Sequence, residues 1–156
     1  MEFSCIGDSV NLASRVEGLS KKYKNQILIT EYTKNEVGNL FWTREIDTVV
    51  VTGRTTPVVI YELIGLKPGG TLVGLLDTPN EEPMETLPEE MEKVLQFYAN
   101  GLDLYKKMEF KSAAKCFGMA VDLNNDGPSA TMFERCQEYM INPPEDASMV
   151  FYPDSK

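Results

Sequence analysis

The chain of 156 residues has no histidine and only three cysteines, Cys5, Cys116 and Cys136. Without histidine there is no Ser-His-Asp triad, no Cys-His nucleophile pair and no imidazole-ligated zinc. The cysteines are too widely spaced for joint thiolate ligation of a metal. Their odd number argues against a disulfide framework and fits a reducing compartment. Any metal would have to be a hard cation held by carboxylates. No run of 18 apolar residues exists, so no membrane-spanning helix is expected. Met1 to Gly7 has no basic stretch followed by an apolar one, so it is not read as a signal peptide. Positive charge is also scarce, with 15 Lys and Arg against 24 Asp and Glu and a net charge of −9. The whole deficit falls in residues 77–156, which hold sixteen acids and seven bases, whereas residues 1–76 hold eight of each. An acidic half of this kind repels phosphate backbones, so no nucleic acid is expected as a partner.

What is present divides into two textures. Over residues 1–66 helix and strand signals alternate. Leu12, Val16, Leu19 and Tyr23 recur at helical spacing and predict an amphipathic helix over about 9–23. Ile27-Leu28-Ile29-Thr30 reads as a short buried strand, and Glu31 to Val37 as a short helix capped by Thr30. Phe41 to Ile46 and Thr48 to Thr52 read as two strands. Gly53-Arg54 marks a tight turn, and Val58 to Ile64 a further strand with Pro57 at its start. Residues 67–86, with Lys67-Pro68-Gly69-Gly70 and then Pro79 and Pro83, read as a linker. Residues 87–142 carry helical patterns only. Thr86-Leu87-Pro88-Glu89 fits a capping box, and Phe110 to Leu123 and Ser129 to Met140 give two more helices. Residues 143–156, with three prolines, read as an extended tail. The fold class expected is α+β with a small three-helix module attached.

Chemistry concentrates in Ile6-Gly7-Asp8-Ser9-Val10-Asn11-Leu12-Ala13-Ser14-Arg15-Val16-Glu17-Gly18. Asn11 and Arg15 are four residues apart and share a helix face. Near a triphosphate such a pair could orient a ribose oxygen and neutralise charge developing on the α-phosphoryl group. On spacing alone, an exposed arginine beside a helix-start asparagine is the plainer reading. The surrounding string reverses that, because it resembles the signature of class III adenylate and guanylate cyclases. A second stretch, from Phe41-Trp42-Thr43-Arg44-Glu45-Ile46-Asp47 through Val51-Thr52-Gly53-Arg54 to Pro57-Val58-Val59-Ile60-Tyr61-Glu62-Leu63, resembles that family's closing β-hairpin.

The resemblance covers about residues 1–65 and implies the C-terminal half of a ferredoxin-like cyclase core. It implies Asn11 and Arg15 as the transition-state pair, in an active site completed by a homodimer partner subunit, with ATP as substrate and Mg²⁺ or Mn²⁺ as cofactor. It places base selection at Ser4, whose hydroxyl can donate to adenine N1 or accept from its amino group. Ser4 therefore favours ATP over GTP, and the alternative is an ordinary strand serine. Cys5 lies one residue out of register. Where the family commonly carries Lys in its Val-Lys-Gly turn, this chain has Thr52. Arg54 then either reaches the terminal phosphates in its place or stays solvated in the turn.

The family's metal-binding aspartates and purine-selecting lysine have no counterpart here, and Asp8 is not a metal ligand in the family. The chain is thus expected to be a piece of a longer catalytic domain, inactive alone, with regulatory domains and any membrane anchor lying upstream and a cytoplasmic location. Phe97, Gly101, Leu104, Phe110, Ala113, Phe117 and Ala120 resemble a single tetratricopeptide repeat, which needs a neighbour to bury its faces. Two other functions compete: a guanylate cyclase of the same class, and a protein-interaction or dimerisation module with a vestigial cyclase half. A half-domain also leaves strand edges unpaired, so self-association, element swapping or poor order of the first region is expected. Gel filtration tests this, and a well-behaved monomer would count against it.

Overall fold

In a computed structural model, residues 16, 18–24, 27–51, 53–67 and 86–153 are described. Among them stand five helices and three strands. In chain order these are α1 (Ser20–Tyr23), β1 (Leu28–Thr30), α2 (Glu31–Val37), β2 (Phe41–Val49), β3 (Val58–Leu66), α3 (Glu89–Lys106), α4 (Phe110–Asn124) and α5 (Gly127–Ile141). The strands form an antiparallel sheet in the order β1-β3-β2. Most of the helix expected over 9–23 and of the linker over 67–86 lies outside the described residues. Val16, Leu19 and Tyr23, three of the four positions on its apolar face, are buried as that spacing requires.

Two strands were expected across residues 41–52, and one is found. β2 runs without a break from Phe41 to Val49, with a register shift between Glu45 and Asp47. The shift is a β-bulge. It sets Ile46 and Asp47 against a single position of β3 and turns both side chains into the core. The Ile46 carbonyl, displaced from the ladder, accepts a hydrogen bond from the Tyr98 hydroxyl of α3 at 2.6 Å. That contact both satisfies a buried backbone group and ties a helix to the strand. Beyond β2 the expected tight turn forms. The Arg54 amide donates to the Val51 carbonyl at 3.1 Å, and Gly53 takes the φ of 82° that favours glycine.

Thr30 caps α2 as expected, its hydroxyl accepting from the Thr33 amide at 3.2 Å. The capping box at Thr86 does not form. Pro88 keeps Leu87 out of helical backbone, so α3 begins at Glu89 without a side-chain cap. Its first turn still carries Glu89, Glu90 and Glu92, and its last turn Lys106, in the order the helix dipole favours. α5 starts two residues earlier than expected because Asp126 caps it, with Pro128 in the first turn.

The three long helices lie against the sheet, and one hydrophobic cluster runs through both. Ile46, Val49, Val58 and Ile60 of the sheet region join Tyr98, Leu102, Phe117, Met132 and Cys136 of the helices. α3 and α4 approach closely at Gly101, which faces the Phe117 ring. The tail is ordered where it meets the sheet. Phe151 pairs in parallel with Val49 at the β2 edge, donating to Thr48 and accepting from Val50, both at 2.9 Å.

A Cβ at Gly101 would stand 2.8 Å from Phe117 Cε1. Gly101→Ala is therefore expected to destabilise the fold by about 1–3 kcal/mol, as overpacking does, read as a lower urea midpoint at an unchanged denaturant slope.

Candidate functional site

Two arginines cross between the sheet and the helices in opposite directions. Arg44 on β2 reaches the helical side. It makes a two-pronged ion pair with Asp126, Nη1 to Oδ2 at 2.7 Å and Nη2 to Oδ1 at 3.1 Å. Nη2 also meets Glu62, its cross-strand partner on β3, at 2.9 Å. The guanidinium lies over the Tyr98 ring, 4.8 Å from its centroid. Arg135 on α5 reaches the sheet, with Nη1 2.5 Å from Asp47 Oδ2. Its donors also point at the hydroxyls of Tyr105 and Tyr23, both at 3.3 Å. Phe151 covers it, ring centroid 3.6 Å from the guanidinium carbon.

Both arginine side chains are about 95% buried. Burial opposes their charge, and for Arg44 the bonds from Asp126 and Glu62 outweigh it and raise its pKa. For Arg135 the same opposition is overcome by Asp47 with Tyr23 and Tyr105, which hold its pKa well above the ordinary value. Burial first, then the Asp47 charge, raises the phenols of Tyr23 and Tyr98 well above theirs. The anions are fully engaged. Asp47 accepts from Tyr23 at 2.7 Å, from Arg135, and from the Thr48 amide at 2.8 Å. Asp126 accepts from Arg44 and from both the amide and hydroxyl of Ser129. With their lone pairs committed, neither carboxylate is placed to act as a base or a metal ligand. Among the described residues no group of three or more His, Cys, Asp or Glu could hold a metal ion. These residues therefore do not fit the Mg²⁺ or Mn²⁺ implied by the signature.

Of the residues singled out in the sequence, Ser4, Asn11 and Arg15 lie outside the described residues, as do Cys5, Asp8 and Thr52. Arg54 sits half-buried in the turn after β2. Cys136 is buried, its thiol pushed up to about 12 by burial, so it behaves as a core residue. A cleft of about 410 Å³ opens between β2 and α3, lined by Thr43, Tyr98 and Leu102 and spanned by the Lys106–Glu45 ion pair. No helix among the described residues is long and apolar enough to cross a membrane.

In the sequence Arg44 and Asp47 figure only within the hairpin-like stretch, and Asp126 and Arg135 have no assigned role. Asp126 had a visible signal, an Asp before Gly127-Pro128-Ser129 at a helix start. The other three had none, because their partners lie 82 and 88 positions away along the chain.

The chain is related in sequence to proteins named adenylate cyclases. It is 35% identical over 140 residues, 87% of its length, to the terminal-differentiation specific adenylate cyclase of Dictyostelium discoideum. Over 66 residues it is 32% identical to adenylate cyclase 1 of Rhizobium meliloti and 42% identical to the adenylate cyclase of Anabaena cylindrica. It spans only 6%, 10% and 13% of those proteins respectively. No family model matches the chain, and no solved structure does.

Arg135→Met leaves Asp47 charged and buried without its cation, and should cost about 3–5 kcal/mol. The double variant Asp47→Asn with Arg135→Met should recover part of that loss, a non-additivity measured by chemical denaturation. The raised tyrosines predict a second behaviour. A folded-state pKa above the unfolded value gives stability that is complete below the unfolded pKa of about 10 and lost as pH rises beyond it. Thermal stability should therefore hold up to about pH 9 and fall above it, with Tyr23, Tyr98 and Tyr105 showing phenolate absorbance only as the chain unfolds.

Proposed function

We propose that this chain is the C-terminal part of the catalytic domain of a class III adenylate cyclase, carrying a tetratricopeptide-like helical module. The observation that supports it most is the ungapped run from Ile6 to Gly18, in a chain related over 87% of its length to a protein named an adenylate cyclase. The reaction is the in-line attack of the ribose 3′-hydroxyl of ATP on the α-phosphorus. The bond to the β-phosphate oxygen breaks, pyrophosphate leaves and cyclic AMP forms. In this reading Arg15 neutralises charge on the α-phosphoryl oxygens and Asn11 orients the ribose. Ser4 meets the adenine edge, and Arg54 faces the terminal phosphates. Mg²⁺ or Mn²⁺ ligands would come from parts of the full domain outside this chain, and the site would be shared with a homodimer partner subunit in the cytoplasm. The ferredoxin-like core and input from other regulatory domains belong to the same reading.

The names of the relatives favour ATP over GTP. Thr52, in place of a lysine in the phosphate-facing turn, is the observation that favours an interaction module with a vestigial cyclase half.

In the full-length protein, Arg15→Ala should lower cyclic AMP formation at least about 100-fold, the scale on which a lost charge-stabilising donor acts, with ATP binding retained. Cyclic GMP formed from GTP at an equal rate would overturn the base assignment. No product from either nucleotide would favour the interaction module.

A further inference from the structure

The C-terminal ends of α3 and α5 and the tail that follows them frame a cavity of about 540 Å³. Tyr105 comes from α3, Glu138 and Tyr139 from α5, and Glu145, Asp146 and Tyr152 from the tail. The lining combines rings with unpaired negative charge.

The rings are held in place. Tyr105 and Tyr139 lie nearly parallel, 16° apart, with centroids separated by 6.2 Å. Tyr152 is 49% exposed, but its neighbour Phe151 is bonded to the β2 edge through both its amide and its carbonyl. The carboxylates lack counter-ions. Glu138, Glu145 and Asp146 are all exposed, and among the described residues no cation of the chain pairs with any of them. Asp146 accepts from the Ser148 amide at 2.9 Å and from its hydroxyl at 2.7 Å, bonds that lower its pKa and keep it ionised. Arg135, behind Phe151, does not offset these charges, because it is committed to Asp47.

This part of the chain already shows how its rings take cations. Phe151 has the Arg135 guanidinium 3.6 Å and the Lys22 ammonium 4.7 Å from its centroid. Among the described residues no cation lies over Tyr139 or Tyr152. An arginine side chain answers both features of the lining, since a guanidinium stacks on a ring and offers donors in its plane to carboxylates. The volume is in the range of sites that take a ligand of that size or somewhat larger. A second copy of the chain is a poor occupant, because residues 77–156 hold sixteen acids against seven bases and two such halves repel. An apolar segment would cover carboxylates without pairing them, which costs free energy.

We propose that this cavity is a docking site for a basic peptide segment of a partner protein, which sets an arginine against Tyr139 and Tyr152 and pairs it with Glu138, Glu145 and Asp146. The proposal is independent of the cyclase reading.

The test is a nuclear magnetic resonance titration of the isotope-labelled chain with the peptide acetyl-Gly-Gly-Arg-Gly-Gly-amide at low salt. Saturable shifts are expected at Tyr105 and over residues 138–152, and none with glutamine in place of the arginine. The double variant Glu138→Gln with Glu145→Gln should raise Kd about tenfold, and Tyr152→Ala about threefold, the scale of exposed ion pairs and of one ring–cation contact. All three side chains are exposed, so the fold should be kept, checked by unchanged shifts in α4. No saturable shift at peptide concentrations up to about 10 mM, the weak end of measurable affinity, overturns the proposal. So do shifts scattered over the whole acidic surface, or a Kd that neither variant moves. Spermidine binding at the same residues as tightly as the peptide would make this a site for a free amine and overturn the peptide partner.

Discussion

The contact between Asp47 and Arg135 organises the rest of the molecule. Asp47 faces inward only because β2 carries an extra residue at the Ile46 bulge, and an inward carboxylate requires a cation. Arg135 supplies it from α5, the last helix among the described residues. Lysine would serve less well, since a guanidinium presents several donors in a fixed plane, here to Asp47, Tyr23 and Tyr105 together. Arg135 is the only arginine in the acidic half of the chain, and it is committed to an aspartate of the other half. A buried pair of this kind adds little net stability over a well-packed apolar pair. It specifies an arrangement, because any register or docking angle that separates the two leaves both charges buried and alone.

The second crossing, Arg44 to Asp126, works in the reverse sense and completes the constraint. One ion pair leaves a helical layer free to pivot. Two, with donors on opposite layers, fix its rotation on the sheet as well as its position. Asp126 also caps α5, so the residue that receives Arg44 sets the start of the helix that delivers Arg135. The bulge, the cap and the two arginines thus form a closed set. The bulge carbonyl held by Tyr98, over whose ring Arg44 lies, joins α3 to the same set.

Local features were legible in the sequence, and relations between distant residues were not. The Thr30 cap, the turn at Gly53 and the spans of α4 and α5 to within two residues follow from signals confined to a few neighbouring positions. So does the close approach at Gly101, a glycine that faces the Phe117 ring. The bulge was misread as a strand break, since an aspartate amid β-branched residues looks like an interruption unless its partner is known. The missing box at Thr86 shows two local rules in competition, with the restriction on the residue before proline prevailing over the capping pattern. The pairings of Arg44 with Asp126 and of Arg135 with Asp47 have no local signal, because the partners lie 82 and 88 positions apart along the chain. Of the residues proposed for the site, Asn11 and Arg15 lie in the signature and Ser4 just before it, all outside the described residues, and the described structure includes Arg54.

The lengths of the sequence matches bear on whether the helical layer is an accessory. Two relatives match over 66 residues, while the Dictyostelium discoideum protein matches over 140, a span too long to avoid either the sheet or the helices. The match to that protein therefore runs through both layers of this chain. A shared core joins the two layers, since sheet residues such as Ile46 and Ile60, fully buried here, lie in one cluster with Phe117 and Met132. A sheet that has come to bury its apolar face under three helices, with charged residues crossing the seam, would expose both the apolar surface and unpaired charges if those helices were removed. α5 also holds α1 through the Thr131–Lys22 and Arg135–Tyr23 hydrogen bonds, so the layer that stabilises the sheet is tied to the segment that leads into β1 as well.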